Sequence, residues 1–244
     1  MKDLPDKVEK DIWLNFSPEE KQLYLANLAQ VNEQLQQQLE LEQVDSILII
    51  AMMTRLRQIC CEPRMLYENY KGESTKFTMC LELIETLKEN GKKVLLFSSF
   101  TSIFDSFIEE FNQRGIKYHM ITGAVDKKKR KEEVDAFQSD DSDVFLISLK
   151  AGGTGLNLTK AQAVIHYDPW WNVSAQNQAT DRAYRIGQTK NVLVYQLLMK
   201  NTIEAKIYEM QKRKKEMSDI FVENSNGGIS TLSKEELRDL FSME

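Results

Sequence analysis

Residues 144–198 read VFLISLKAGGTGLNLTKAQAVIHYDPWWNVSAQNQATDRAYRIGQTKNVLVYQLL, and three short apolar runs within them decide the architecture. Residues 144–147, 163–166 and 192–198 are apolar without polar alternation, the pattern of strands covered on both faces. A glycine-rich loop follows the first run, and a segment of helical texture, 174–185, separates the second from the third. The same alternation continues upstream. Residues 94–97 and 118–121 read as strands, and 75–90, 101–113 and 126–138 as helices. Gly91 stands where a left-handed residue would end the first of these helices. Strand and helix in repetition with short loops predict right-handed crossovers and an open parallel sheet with helices on both faces.

The flanks read as helical. Ser17-Pro18-Glu19-Glu20 combines an N-cap serine, a proline at the first helical position and a glutamate at the third. Tyr24, Leu28, Val31, Leu35 and Leu39 then recur at spacings of four and three, one apolar stripe beside a glutamine-rich solvated face. A second helix, 45–60, is apolar on more sides and ends before Pro63. The tail returns to helix over 202–219 and 233–241, separated by Asn224-Ser225-Asn226-Gly227-Gly228. The expected organisation is a helical linker over 1–74, an α/β domain over 75–200 and bracing helices over 201–244.

Composition narrows the function classes. With 244 residues, 42% apolar and 28% charged, the chain is an ordinary globular protein. No apolar run approaches the ~20 residues a membrane span needs, and the start shows no secretory pattern. Cys60, Cys61 and Cys80 form neither a CxxC pair nor an even framework, and His119 and His166 are too few for a metal cluster, so reduced buried thiols and no metal site are expected. A formal net charge of −5 confines any nucleic-acid contact to a local patch.

Open parallel sheets bind ligands beyond the carboxyl ends of their strands. The loop 148–157 there contains Gly152, Gly153 and Gly155, which let backbone N–H groups approach a phosphate. It is no Walker A loop, since neither Gly-Lys-Ser nor Gly-Lys-Thr follows it or occurs elsewhere. On a helix over 174–185, Gln178, Arg182 and Arg185 share one face at i, i+4 and i+7. Two adjacent guanidinium groups repel unless an anion joins them, and such arginines suit the charge that gathers in phosphoryl transfer. The plainer alternative is a solvated face with Asp181 as the ion-pair partner. Trp170 and Trp171 either stack on bases or sugar or plug the edge of the core. The run 127–131, four lysines and an arginine, sits where the helix dipole is itself positive, so it is either a solvated face or an anion contact. Lys212 to Lys215 poses the same choice on the terminal helix.

In order and spacing these segments resemble the motifs of Swi/Snf-type ATPases of helicase superfamily 2. Val94-Leu95-Leu96-Phe97-Ser98-Ser99-Phe100 is similar to motif IV, Ser148 to Leu158 to motif V, and Gln178 to Gln188, with its RIGQ ending, to motif VI. Leu56-Arg57-Gln58-Ile59-Cys60 with Pro63 is similar to the segment ahead of the second lobe. The resemblance implies the C-terminal RecA-like lobe, a P-loop-NTPase-like parallel sheet, of a double-stranded DNA translocase. Arg182 and Arg185 then match the arginine fingers, and Gln178, Gly153 and Gly155 the nucleotide-facing positions. Ser99, Thr101, Gly123, Ser148, Lys150, Trp171 and Asn172 match contacts to the DNA backbone, without sequence readout. ATP with Mg2+ would be held mainly by an N-terminal RecA-like lobe, so this chain would complete a site it cannot form alone. The other implied partner is a DNA-bound protein complex, in the nucleoid of a prokaryotic cytoplasm or in a eukaryotic nucleus; no membrane is implied. Tyr184, Lys150, Val173 and Ala124 depart from the family pattern. Two rivals remain at this level: a non-catalytic DNA- or protein-binding module of the same fold, and a strand-separating helicase.

Overall fold

A computed structural model describes residues 5–152, 156–170, 173–220 and 232–242. Its strands are β1 (Lys7–Leu14), β2 (Val94–Ser98), β3 (Tyr118–Ile121), β4 (Val144–Ser148), β5 (Ala163–His166) and β6 (Val192–Met199), in the sheet order β1-β6-β5-β2-β4-β3. β2 pairs in parallel with β4 on one side and β5 on the other, with Ser98 opposite Ser148 and Phe97 opposite both Ile147 and His166. β3 and β6 extend the parallel array outward. Every residue of β2, β4 and β5 is buried, which explains why these strands carry no polar alternation.

No strand is legible ahead of Ser17, yet β1 lies beside β6 at the sheet edge. Its residues are charged and mostly exposed, as suits an edge strand, and its assignment rests on a neighbour some 180 positions away in sequence: Val192 N–H donates to the Asp6 carbonyl at 3.0 Å. Helices α3 (Thr75–Glu89), α4 (Ile103–Arg114) and α5 (Lys127–Ser139) alternate with the strands, followed by the single turn α6 (Leu149–Gly152) and by α7 (Val173–Thr180). Phe77, Leu81, Ile84 and Leu87 of α3 are all buried. Gly91 follows it at φ 65°, and the next N–H, that of Lys92, closes onto the Leu87 carbonyl at 2.9 Å.

The chain forms two compact units, Met1–Trp13 with Phe77–Leu198, and Leu14–Lys76 with Met199–Glu244. In the second, α1 (Pro18–Glu40), α2 (Ser46–Cys61), α8 (Ile203–Ile220) and α9 (Lys234–Leu240) pack as helices. The capping box at Ser17 forms: the hydroxyl accepts from Glu20 N–H at 3.3 Å, and Glu20 accepts from Ser17 N–H at 2.8 Å. Glu20 also accepts the Thr75 N–H at 2.9 Å, so one buried carboxylate joins two helix starts. The α1 stripe from Tyr24 to Leu39 is buried, each side chain contributing about 1.5–3 kcal/mol. All three cysteines are buried free thiols. No helix among the described residues is long and apolar enough to cross a membrane.

A buried ion pair anchors this unit. Lys76 Nζ lies 2.5 Å from both carboxylate oxygens of Glu204, with the two side chains 1% and 0% exposed. Glu204 also accepts Met199 N–H at 3.0 Å, and Tyr24 OH accepts Ile203 N–H at 2.8 Å. Burial by itself would discharge Lys76, but Glu204 against it holds its pKa above the ordinary lysine value. Lys76→Met should therefore cost about 3–5 kcal/mol in urea unfolding, because Glu204 is left buried and uncompensated. Adding Glu204→Leu should recover part of that loss, the remainder reflecting the stranded Met199 N–H.

Candidate functional site

The carboxyl ends of β2, β4 and β5 gather the polar groups that the strands cannot hold. Asp168, two residues beyond β5, is fully buried. It accepts Ser98 Oγ–H at 2.6 Å and Ser99 N–H at 3.0 Å through Oδ1, and Ser99 Oγ–H through Oδ2. Phe100 N–H in turn donates to Ser98 Oγ at 3.1 Å. The carboxylate thus fixes the loop after β2, and both donors of Ser99 point to it. Thr101, next in the chain, is exposed. A buried acid directly after an apolar strand demands donors, and that signal could have marked Asp168 from the sequence.

Ser148, at the end of β4, is 2% exposed, and its hydroxyl accepts Ala151 N–H at 3.3 Å within α6. Gly123 occupies an exposed turn after β3. Gly153, Gly155, Trp171 and Asn172 lie outside the described residues, as does the side chain of Lys150. Trp170 packs half-buried against the sheet core, and its N–H donates to Gln176 Oε1 at 3.3 Å. Asp126 caps α5, its Oδ1 accepting from Lys128 and Lys129 N–H at 2.8 and 2.9 Å. That carboxylate answers the dipole conflict of the basic run, whose lysines are exposed.

The arginines depart from the expected geometry. α7 ends at Thr180, and Arg182 and Arg185 follow in a turn, so the shared helical face with Gln178 is not formed. Arg182 N–H closes onto the Ala179 carbonyl at 3.2 Å, one residue short of a helical bond, and Leu158 N–H holds the Arg182 carbonyl from across the site at 3.0 Å. Ala183 N–H closes onto Thr180 at 3.1 Å, and Gly187 at φ 104° adopts a left-handed backbone that side-chain-bearing residues resist. Gln178 and Arg185 are exposed, Arg182 is half-buried and Ile186 is 90% exposed. Arg185 Nη1 donates to the Leu156 carbonyl at 3.3 Å. Asp181 is exposed and forms no ion pair among the described residues, so Arg185 stays available to an external anion.

His166, at the end of β5, supports α7 from beneath. Its Nε2 lies 2.9 Å from Thr180 Oγ1 and its ring stacks on Phe97 with centroids 5.7 Å apart. Burial pushes its pKa down to about 4, against the weaker upward pull of Asp168. Among the described residues no cluster of His, Cys, Asp and Glu is placed to hold a metal.

A glycine-containing loop and an arginine turn are thus held together at the carboxyl ends of a parallel sheet. Residues 75–187 match the family described as helicase conserved C-terminal domain. The chain is 34% identical over 98% of its length to the putative ATP-dependent helicase/translocase YwqA of Bacillus subtilis, of which it spans 26%. It is 32% identical over 97% of its length to the mouse SWI/SNF-related matrix-associated actin-dependent regulator of chromatin subfamily A member 1, of which it spans 24%. Its fold superposes on the Sulfolobus solfataricus SWI2/SNF2 ATPase core in complex with dsDNA with a TM-score of 0.79 and 30% identity, covering 100% of this chain and 52% of that one. The isolated C-terminal domain of the Sulfolobus solfataricus SWI2/SNF2 ATPase gives 0.77 at 26% identity, covering 98% and 100%. The chain belongs to the Swi2/Snf2 family, as its C-terminal RecA-like lobe.

Because His166 is neutral in the fold, acid weakens the structure through it. Between about pH 6.5 and 4 the unfolded chain takes up a proton that the folded chain refuses, so full stability holds above 6.5 and falls on acidification. That interval corresponds to about 3 kcal/mol. Urea titrations across it should show His166→Gln losing correspondingly less stability than the parent; equal losses would contradict the assignment.

Proposed function

We propose that this chain is the second lobe of an ATP-dependent double-stranded DNA translocase, supplying arginines to a nucleotide held mainly by a first lobe elsewhere in the complete protein. The exposed Arg185, on a turn bonded to the glycine-rich loop and without an acidic partner among the described residues, carries this reading. An exposed guanidinium on such a turn suits the terminal phosphates of ATP, whose bound Mg2+ would rest with the first lobe. Arg182 and Arg185 would neutralise charge gathering on the transferred phosphoryl group, the step for which such residues are worth most. Gln178, exposed on α7, would face the same nucleotide.

DNA would lie along the loops at the carboxyl ends of β2, β3 and β4, contacted through phosphate. Donors to phosphate must carry free, reachable protons, which favours the exposed Thr101 hydroxyl and the Gly123 turn over Ser99, whose hydroxyl donates to Asp168, and over Ser148, which is buried. The SWI2/SNF2 core that resembles this chain was solved with duplex DNA, which supports the same class of ligand. Contacts of this kind set affinity and salt dependence without selecting sequence.

In the complete protein, Arg182→Ala or Arg185→Ala should lower DNA-stimulated ATP hydrolysis by about 10³-fold while DNA affinity persists. Full hydrolysis by both variants would overturn the assignment. The 244-residue chain alone, which has no Walker A lysine, should release no phosphate from ATP above the buffer rate. Turnover by that purified chain would refute the two-lobe scheme.

A further inference from the structure

Gln188, the last residue of the RIGQ run, makes five side-chain hydrogen bonds beside the arginines. It is 7% exposed. Its Nε2 faces three carbonyls, Thr159 at 3.0 Å, Ala161 at 2.9 Å and Ala183 at 3.1 Å. Two amide hydrogens serve these three acceptors, so one is shared. Its Oε1 accepts Thr189 N–H at 2.9 Å and Lys190 N–H at 3.0 Å, and its own N–H donates to the Arg185 carbonyl at 2.9 Å. One side chain therefore binds three segments: the exit of the glycine-rich loop, the arginine turn and the lead into β6. The positive φ of Gly187 provides the bend that precedes this inward-directed side chain.

Two further bonds run parallel to it, Leu158 N–H to the Arg182 carbonyl and Arg185 Nη1 to the Leu156 carbonyl. Leu158, Ala161 and Ala183 are fully buried, so the joint is packed as well as bonded. A displacement of 156–161 cannot then leave 182–188 in place without stranding buried carbonyls, each a costly loss. We infer that Gln188 is a positioning residue that transmits movement of the glycine-rich loop to Arg182 and Arg185, and so makes ATP turnover respond to DNA at that loop. This rests on the reading of the two arginines given above.

No other natural side chain of similar size offers both the donor and the acceptor at this reach. Methionine fills the volume but leaves the three carbonyls and two N–H groups without partners. Glutamate keeps the acceptor and turns a second oxygen towards the carbonyls.

The test uses the full-length protein and a duplex DNA of arbitrary sequence. For Gln188→Met, the ratio of ATP turnover at saturating DNA to turnover without DNA should fall about tenfold, with DNA affinity retained. An unchanged ratio in a folded variant would overturn the inference. Arg182→Ala and Arg185→Ala run alongside separate the two ideas. If they leave hydrolysis intact, the arginine reading fails; if they abolish it while Gln188→Met keeps the parental ratio, only the coupling role fails. Should Gln188→Met not fold, hydrogen exchange on the unmodified protein decides the matter. Duplex DNA should slow amide exchange in 156–161 and 182–190 together, and slowing confined to the first segment would overturn the inference.

Discussion

The burial of β2, β4 and β5 on both faces governs the rest of this molecule. Strands flanked on either side by parallel neighbours and covered above and below can carry almost nothing but apolar side chains. Polar groups are therefore expelled to the strand ends, where each must find partners or be exposed. Asp168 and Ser98 solve this by satisfying one another, and Gln188 by answering five backbone groups at once. What is exposed at the same rim, Arg185 above all, is what an external anion can meet. The chemistry of the site follows from the apolar demand of the sheet behind it.

The same constraint separates residues that hold the rim from residues that present it. Ser98, Ser99, Ser148 and Asp168 bond inward and shape the loops after β2 and β4. Thr101, Gly123, Gln178 and Arg185 are exposed on those loops, on the turn after β3 and along the α7 segment. His166 and Thr180 tie α7 to β5, and Leu158 ties the arginine turn to the loop before it. The arginines are thereby placed by backbone hydrogen bonds across the site and not by a helix of their own. In the second unit the Lys76–Glu204 pair plays an analogous part, fixing the start of α8 through a charge that burial would otherwise forbid.

Much of this was legible in the chain before any coordinates. Short apolar runs without alternation, set between turn signals and helical segments, fit doubly covered strands, so the parallel sheet, its intervening helices and the carboxyl-end location of the loops follow from local pattern. The capping box at Ser17, the stripe from Tyr24 to Leu39 and the stop at Gly91 are equally local, because each depends on residues within a few positions. The glycine loop and the RIGQ segment stood out as candidate sites through their resemblance to family motifs, since residue types and spacing by themselves left plainer readings open.

Tertiary structure alone decided what depends on distant partners. β1 is a strand because β6 lies beside it, and nothing in its charged sequence announces that. The turn after α7 is held because Leu158, more than twenty residues earlier, bonds to the carbonyl of Arg182. Lys76 meets Glu204, and Gln188 meets Thr159 and Ala161, across separations that no helical or strand period encodes. Sequence patterns report energies that are local, propensity and the facing of apolar side chains. Hydrogen bonds between segments far apart in the chain are chosen only when the core brings them together, and those bonds place the arginine turn.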